Sequence, residues 1–167
     1  MTPRSKQDKA NLRLVRRIYE KVLGPIDSGA VDALFDPSYI QHNPNAATGS
    51  QGLKEMLDRA KLKYPKAEHR VKRMLVDGDL VAVHVHVIFN PGDAGFAVVD
   101  IFRIAHGKIA EHWDVMQPIT TSTKNDTVAF EGKFMDLNMP TAGVSPVGPQ
   151  HRARSLVVGA VRWRPHS

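Results

Sequence analysis

The sequence predicts an α+β domain in which a curved, mostly antiparallel sheet wraps over N-terminal helices. Up to Tyr64 the apolar residues recur at helical spacing, and from Glu68 onward they alternate with period two. Two dipeptides typical of hairpin turns, at 77–78 and 106–107, divide the alternating part into consecutive strands. Helices followed by successive hairpins favour a sheet that packs one face on the helices.

Three helices are indicated in the first 64 residues. Ser5 and Asp8 have the spacing of a capping box and predict the start of the first helix, which ends at Gly24. A short second helix ends before Pro37, and the third runs over about 51–64. The apolar stripe of the first helix comprises Leu12, Val15, Ile18, Tyr19, Val22 and Leu23.

An extended segment and four strands complete the predicted domain. The extended segment covers residues 38–43 and leads into a loop rich in Asn, Pro and Gly. The strands are predicted at Glu68–Val76, Leu80–Phe89, Phe96–Ile104 and Ile109–Gln117.

Composition excludes several classes of protein. The 167 residues suffice for one domain, and the lack of cysteine excludes disulfides, thiolate nucleophiles and cysteine-based zinc sites. We expect a cytoplasmic protein without membrane contact, since neither a secretory signal nor an apolar run of about 20 residues is present. Four of the six net positive charges fall in 137–167, so nucleic acid is not an expected partner. Residues 119–167 are expected to form a loosely ordered C-terminal extension, in which Phe130 and Phe134 are able to dock a short segment.

Charged residues share strand faces with apolar ones around the 106–107 turn. Asp100 lies on the same face as Phe102, while His112, Asp114 and Met116 share a face of the next strand. A carboxylate among apolar side chains requires a hydrogen-bonding or charged partner, contact with water, or a functional role. Histidine paired with aspartate suits proton transfer near neutral pH.

The strand before them has two distinct faces. His84 and His86 share one face, and valines occupy the other. Because an all-valine face is a poor surface for solvent, we predict that it forms a homodimer interface and that the histidines point inward, towards Asp100 and Asp114. The predicted interface comprises Val81, Val83, Val85 and Trp113.

Two other interpretations of the histidines remain open. Each can be a structural residue bonded to a carboxylate. His84 and His86 also resemble the ligand pair of a cupin metal site, completed by Asp100, His112 or Asp114. The glutamate that follows in cupins is missing, and we predict no metal.

A second polar cluster lies on the segment that enters the sheet. His42 and Asn43 are placed to offer hydrogen bonds at the rim of a cavity, next to Tyr39. The alternative is ordinary turn chemistry at Asn43-Pro44, with Tyr39 in the core.

These residues carry a resemblance to a known family. The segments YIQHNP, DGDLVAVHVHV and VVDIFRI, followed by HGKI and EHWDV, resemble the SnoaL-like branch of the nuclear-transport-factor-two-like superfamily over about residues 8–118. The resemblance implies a conical α+β barrel around a deep pocket, often dimeric, with residues 1–118 as the domain.

The resemblance also implies a chemistry. Family members include polyketide cyclases, which close a ring by aldol condensation with an acidic residue and no cofactor; Asp114, with His112, matches that residue. The chain also resembles ketosteroid isomerase, a more distant relative that uses a tyrosine, a basic aspartate and a protonated aspartate. The resemblance places Tyr19 at the tyrosine, Asn43 at the basic aspartate and Asp100 at the protonated aspartate. Because Asn43 carries an amide, it cannot act as the base.

The sequence thus predicts a cofactor-independent cyclase or isomerase that removes a proton next to a carbonyl group. The ligand is expected to be small, hydrophobic and carbonyl-containing. A non-catalytic, dimeric ligand-binding module and a hydrolase of a small substrate such as an epoxide are the alternatives. Asp114, His112 and Asp100 are the catalytic candidates. The candidates for substrate binding are Tyr19, Tyr39, His42, Asn43, His84, His86, Phe102 and Met116.

Overall fold

The helices cover one face of the sheet. The computed structural model describes residues 4–120 and 129–130. Ser5 and Asp8 form the predicted capping box, with the Asp8 amide donating to Ser5 Oγ and the Ser5 amide to the Asp8 carboxylate. The helical elements are α1 (Lys6–Ile18), a π-helical turn (Tyr19–Leu23), a 3-10 turn (Ser28–Ala30), α2 (Val31–Leu34) and α3 (Gly49–Lys63).

Five strands form one mixed sheet. They are β1 (Phe35–Gln41), β2 (Glu68–Asp77), β3 (Leu80–Ile88), β4 (Phe96–Ala105) and β5 (Lys108–Pro118). Their order is β1-β5-β4-β3-β2, with β1 parallel to β5 and the other neighbours antiparallel. The predicted α+β class is confirmed, but the sheet is not closed into a barrel, since β1 and β2 are its edges.

Because β1 pairs with β5, the residues that follow β1 lie next to β5. Pro37 is tolerated in β1 because an edge strand leaves some amide positions unpaired. Gln41 pairs with His112, and the His42 amide donates to the His112 carbonyl at 2.9 Å. Residues that are 71 positions apart in sequence therefore lie side by side.

The strand register defines an inner face, the face that packs against the helices. Val83, Asp100 and Asp114 lie in one row across β3, β4 and β5, so they share this face. Val81, Val83 and Val85 are fully buried within the core that the helices complete. The prediction that these valines form an outer dimer interface is wrong, because α1 and the turn after it cover them within the monomer.

His84 and His86 therefore lie on the outer face, the face that turns away from the helices. Both rings contact Phe130, with centroids 4.8 and 4.9 Å from its ring centroid. The prediction that they point inward is corrected by the same register that buries the valines. Phe130 docks as expected, and the rest of the predicted extension, apart from residues 119, 120 and 129, lies outside the described residues.

Within the described ranges, no helix combines the length and the apolar character that crossing a bilayer requires.

Candidate active site

Tyr19 enters the inner face from a π-helical turn. The Gly24 amide donates to the Tyr19 carbonyl at 2.8 Å, a bond that spans five residues instead of four. A Cβ atom at Gly24 would collide with that carbonyl oxygen, so glycine is the residue that permits the turn. The wider turn carries Tyr19 into the interior, where 6 % of its surface is exposed.

Asp100 lies at the centre of a buried chain of hydrogen bonds. Its Oδ2 accepts a hydrogen bond from the Tyr19 hydroxyl, and its Oδ1 lies 3.0 Å from His112 Nε2. Asp100 and His112 are both 8 % exposed. Each carboxyl oxygen of Asp100 thus has a protein partner, which compensates for the loss of water on burial.

Asp114 has a different partner. Asn43 Nδ2 donates to its carboxylate, at 2.9 Å from Oδ1 and 2.7 Å from Oδ2. The Asn43 oxygen accepts the backbone N–H of Asn45 at 2.8 Å, so the amide group must turn its NH₂ towards Asp114. The sequence predicted that His112 supports Asp114; in the structure His112 pairs with Asp100, and Asn43 supports Asp114.

Gln41 contacts both His112, the partner of Asp100, and Asn43, the partner of Asp114, and it was not among the residues predicted from sequence. Its Oε1 lies 3.1 Å from His112 Nδ1 and 3.0 Å from the Asn43 amide nitrogen, and its Nε2 donates to the Tyr39 hydroxyl at 2.9 Å. The only signal in the sequence was its place between Tyr39 and Asn43 on an extended segment.

Aromatic rings line the deep end of the site, and the other end opens to solvent. Phe102 is 1 % exposed and stacks on His112 at 4.8 Å, while Tyr19 meets Phe102 edge-on. Along β5, exposure on the inner face rises from 8 % at His112 to 48 % at Met116, with Asp114 half-buried between them. A ligand can therefore approach Asp114 from the Met116 end.

Both tyrosines remain hydroxyl donors. Burial, followed by the charge of Asp100, raises the pKa of Tyr19 well above its usual value. Burial and then the charges of Asp114 and Asp100 raise the pKa of Tyr39. Because Gln41 donates to the Tyr39 oxygen, the Tyr39 O–H is still able to donate to another oxygen.

His69, on the inner face of β2, is a second polar residue that was not predicted from sequence. Its Nδ1 is buried and has no hydrogen-bond partner among the described residues. Burial lowers the pKa of His69, and the charge of Asp100 opposes that shift. The signal in the sequence was its alternation with Val71, which places both residues on one strand face.

Comparison with known proteins agrees with this architecture. The family model for the SnoaL-like domain matches residues 15–112, more than half of the chain. The chain belongs to the SnoaL-like family. No curated protein sequence matches it significantly.

Solved structures of low sequence identity share the SnoaL-like fold. A candidate polyketide cyclase from Bacillus cereus ATCC 10987 is 19 % identical with TM-score 0.60, covering 68 % of this chain and 78 % of that one. A candidate SnoaL-like polyketide cyclase from Jannaschia sp. CCS1 is 20 % identical with TM-score 0.58, covering 70 % and 91 %. A candidate SnoaL-like isomerase from Agrobacterium tumefaciens str. C58 is 14 % identical with TM-score 0.56, covering 65 % and 98 %.

This SnoaL-like domain places His42 away from the candidate site. The His42 ring stacks on Trp113 with centroids 4.4 Å apart, and its Nε2 lies 2.8 Å from Glu111 Oε2. Trp113 lies on the outer face as predicted, in register with Ile101. The interpretation of His42 as a substrate-binding residue is therefore corrected: its neighbours on β5 point away from Asp114.

The alternative metal site built on His84 and His86 is not assembled. Both lie on the outer face, whereas Asp100, His112 and Asp114 lie on the inner face. These three inner residues bring ligand atoms within 4.8 Å of one another, a spacing that a metal ion can also use. The two nitrogens of His112 already have partners in Asp100 and Gln41, so hydrogen bonding accounts for the cluster.

Proposed function

We propose that this protein is a cofactor-independent cyclase or isomerase that removes a proton from carbon next to a carbonyl group. The proposal is supported by one observation above all. Two carboxyl groups face each other across neighbouring strands, and their surroundings differ, as an acid and a base require. Membership of the SnoaL-like family agrees with this chemistry, as do the candidate cyclases and the candidate isomerase among its structural neighbours.

Asp114 is the proposed base. It is half-buried on the side that opens towards Met116, and the hydrogen bonds to its oxygens come from one amide group, that of Asn43. Lone pairs therefore remain for a substrate proton. Asp100 is less suitable as the base, because Tyr19 and His112 occupy its two oxygens in the buried interior.

The proposed reaction begins with a proton transfer. Asp114 takes a proton from the substrate carbon, and the electron pair of the broken C–H bond moves onto the carbonyl oxygen to give an enolate. The Tyr39 O–H supplies a hydrogen bond to that oxygen.

The enolate then has two outcomes. In an isomerase, Asp114 returns its proton to a carbon of the substrate. In a cyclase, the enolate carbon attacks a second carbonyl of the same molecule, a C–C bond forms, and the new alkoxide receives the proton. The exposed apolar surface of Met116, next to Asp114 on the inner face, fits a ligand with a hydrophobic body.

Solvent deuterium exchange into a panel of 1,3-dicarbonyl compounds tests the proposal. We expect the wild-type protein to accelerate exchange at the carbon between the carbonyl groups, and Asp114→Asn to abolish the acceleration. Asp93→Asn changes an exposed loop carboxylate and serves as the control. Tight binding without exchange would favour the ligand-binding module and overturn the proposal, as would an Asp114→Asn variant as active as the wild type.

A further inference from the structure

We propose that Gln41 is a positioning residue that fixes which nitrogen of His112 carries a proton, and through it holds a proton between His112 and Asp100. This inference deepens the proposed function, because it explains how one of two facing carboxyl groups is neutralised. It concerns a proton that can be observed without any substrate.

The backbone N–H of Asn43 determines the orientation of the Gln41 side-chain amide. The Asn43 N–H can only donate, and it lies 3.0 Å from one end of the Gln41 side chain. That end must therefore be the carbonyl oxygen, and the NH₂ end faces the Tyr39 hydroxyl at 2.9 Å. A flipped amide would set its NH₂ against the Asn43 N–H, donor against donor.

The orientation of Gln41 determines the state of His112. The fixed oxygen lies 3.1 Å from His112 Nδ1, so Nδ1 must carry a hydrogen in order to bond to it. Nε2, 3.0 Å from Asp100 Oδ1, then has two options. Either it carries a second hydrogen and donates to an ionised Asp100, or it accepts a hydrogen from a protonated Asp100.

Both options have the same consequence for charge. In each, one proton lies between His112 and Asp100, and the pair is neutral overall. The opposite tautomer of His112, with hydrogen on Nε2 alone, would leave Asp100 ionised and the pair negative. By disfavouring that tautomer, Gln41 leaves Asp114 as the one carboxylate of the cluster without a compensating proton.

Nitrogen-15 NMR of histidine-labelled protein tests the assignment directly. In the wild type we expect His112 Nδ1 to show a directly bonded hydrogen near neutral pH. In Gln41→Leu, which cannot accept a hydrogen bond, we expect the Nδ1 hydrogen to be lost and His112 to carry its hydrogen on Nε2 alone. Gln41→Glu retains an acceptor at this position, so it should retain the Nδ1 hydrogen.

The matched control is Gln51→Leu, the same change on the exposed face of α3, where Gln51 contacts Glu55. It should leave the His112 resonances as in the wild type. A wild-type protein with a bare Nδ1 would overturn the inference even if Gln41→Leu failed to fold. An unchanged His112 spectrum in a folded Gln41→Leu protein would also overturn it.

Activity gives a second and separable result. If the exchange reaction is found, Gln41→Leu should lower kcat by about 100-fold with little change in KM, as expected when acid–base groups lose their correct protonation. If no exchange is found in the wild type, the proposed function fails, whereas the NMR result still decides whether Gln41 positions the proton.

Discussion

Asp100 and Asp114 are direct cross-strand partners on β4 and β5, yet within the described part of the chain their carboxyl groups have separate hydrogen-bond partners. Asp100 is bonded to Tyr19 and His112 in the interior, while Asp114 is bonded to Asn43 on the side that opens to solvent. Two carboxylates in one row repel each other unless one is neutralised. Because each carboxyl group is stabilised by its own hydrogen-bond partners, the two can lie next to each other in the folded domain.

The first prediction separates these two carboxylates by stability. Asp100→Asn replaces one carboxyl oxygen with an NH₂ group, so the charge-assisted hydrogen bonds that the buried carboxyl group makes to Tyr19 and His112 become weaker, neutral ones. We expect it to lower the free energy of unfolding by about 1–3 kcal/mol. Asp114→Asn keeps an acceptor for Asn43 and relieves repulsion, so its cost should be about 1 kcal/mol or less. Urea unfolding at neutral pH measures both.

We expect the loss of activity to follow the opposite order, with the larger loss in Asp114→Asn. The Asp114→Asn variant is expected to be the more stable and the less active of the two, and the wild type is the reference for both measurements. A larger loss of stability in Asp114→Asn than in Asp100→Asn would contradict the assignment of partners.

The second prediction concerns the π-helical turn that holds Tyr19. Gly24→Ala introduces a methyl group that collides with the Tyr19 carbonyl oxygen. We expect this overpacking to cost about 1–3 kcal/mol and to displace Tyr19 from Asp100, measured by thermal unfolding and by the exchange assay. Gly29→Ala is the control, since its nearest contact would be a side-chain oxygen of Asp27 at 3.2 Å. Equal losses in the two variants would contradict a special role for Gly24.

Much of the fold could be predicted from periodicity, and one error came from the same source. The alternation along β4 and β5 correctly placed Asp100, His112 and Asp114 on one face. Alternation along β3 separated the histidines from the valines but could not say which set faces the helices. That choice depends on the pairing of Val83 with Asp100, across a loop whose length does not fix the register.

The partners of the site residues were harder to predict, because they come from distant parts of the chain. Gln41 and Asn43 reach β5 only because β1 adds to the sheet edge in parallel, a pairing that leaves no local pattern. The contact of Tyr19 with Asp100 depends on a π-helical turn, which shifts the helix by one residue relative to a regular α-helix.

The third prediction is a loss of stability in acid that depends on His69. Burial lowers the pKa of His69 below its ordinary 6.5, so the unfolded chain binds more protons than the folded one between the two values. Stability should therefore fall as the pH drops below about 6.5, until the pH reaches the folded-state pKa. His84, whose pKa is also lowered by burial and then by Arg73 and Lys72, acts in the same direction.

Replacement of His69 isolates its share of this acid sensitivity. His69→Phe removes both the titrating group and the unpartnered Nδ1, so we expect a shallower decline in unfolding free energy between pH 6.5 and 5. His106→Asn removes an exposed histidine from the β4–β5 turn, where the positive φ of 52° suits asparagine, and should keep the wild-type slope. An unchanged slope in His69→Phe would contradict the prediction.

The fourth prediction is a homodimer that uses the outer face of the sheet. Of the interface residues expected from sequence it keeps Trp113, while the buried valines of β3 are replaced by other residues. Leu75, Ala82, Ile101 and Trp113 lie in one row across β2, β3, β4 and β5. Leu75 is 53 % exposed, and Val115 in the neighbouring row is 67 % exposed. Apolar side chains that are continuous across four strands favour burial against a second copy of the sheet.

Substitution at Val115 tests this interface without touching the candidate active site. Val115 points away from Asp114, so Val115→Glu places a charge in the apolar face alone. We expect the dimer dissociation constant to rise at least about tenfold, measured by sedimentation equilibrium, because a charge must be desolvated when the faces meet. Leu62→Glu is the matched control, since Leu62 is 85 % exposed on α3 and lies outside the sheet. A monomeric wild type, or equal effects of the two substitutions, would show that the outer face is not the dimer interface.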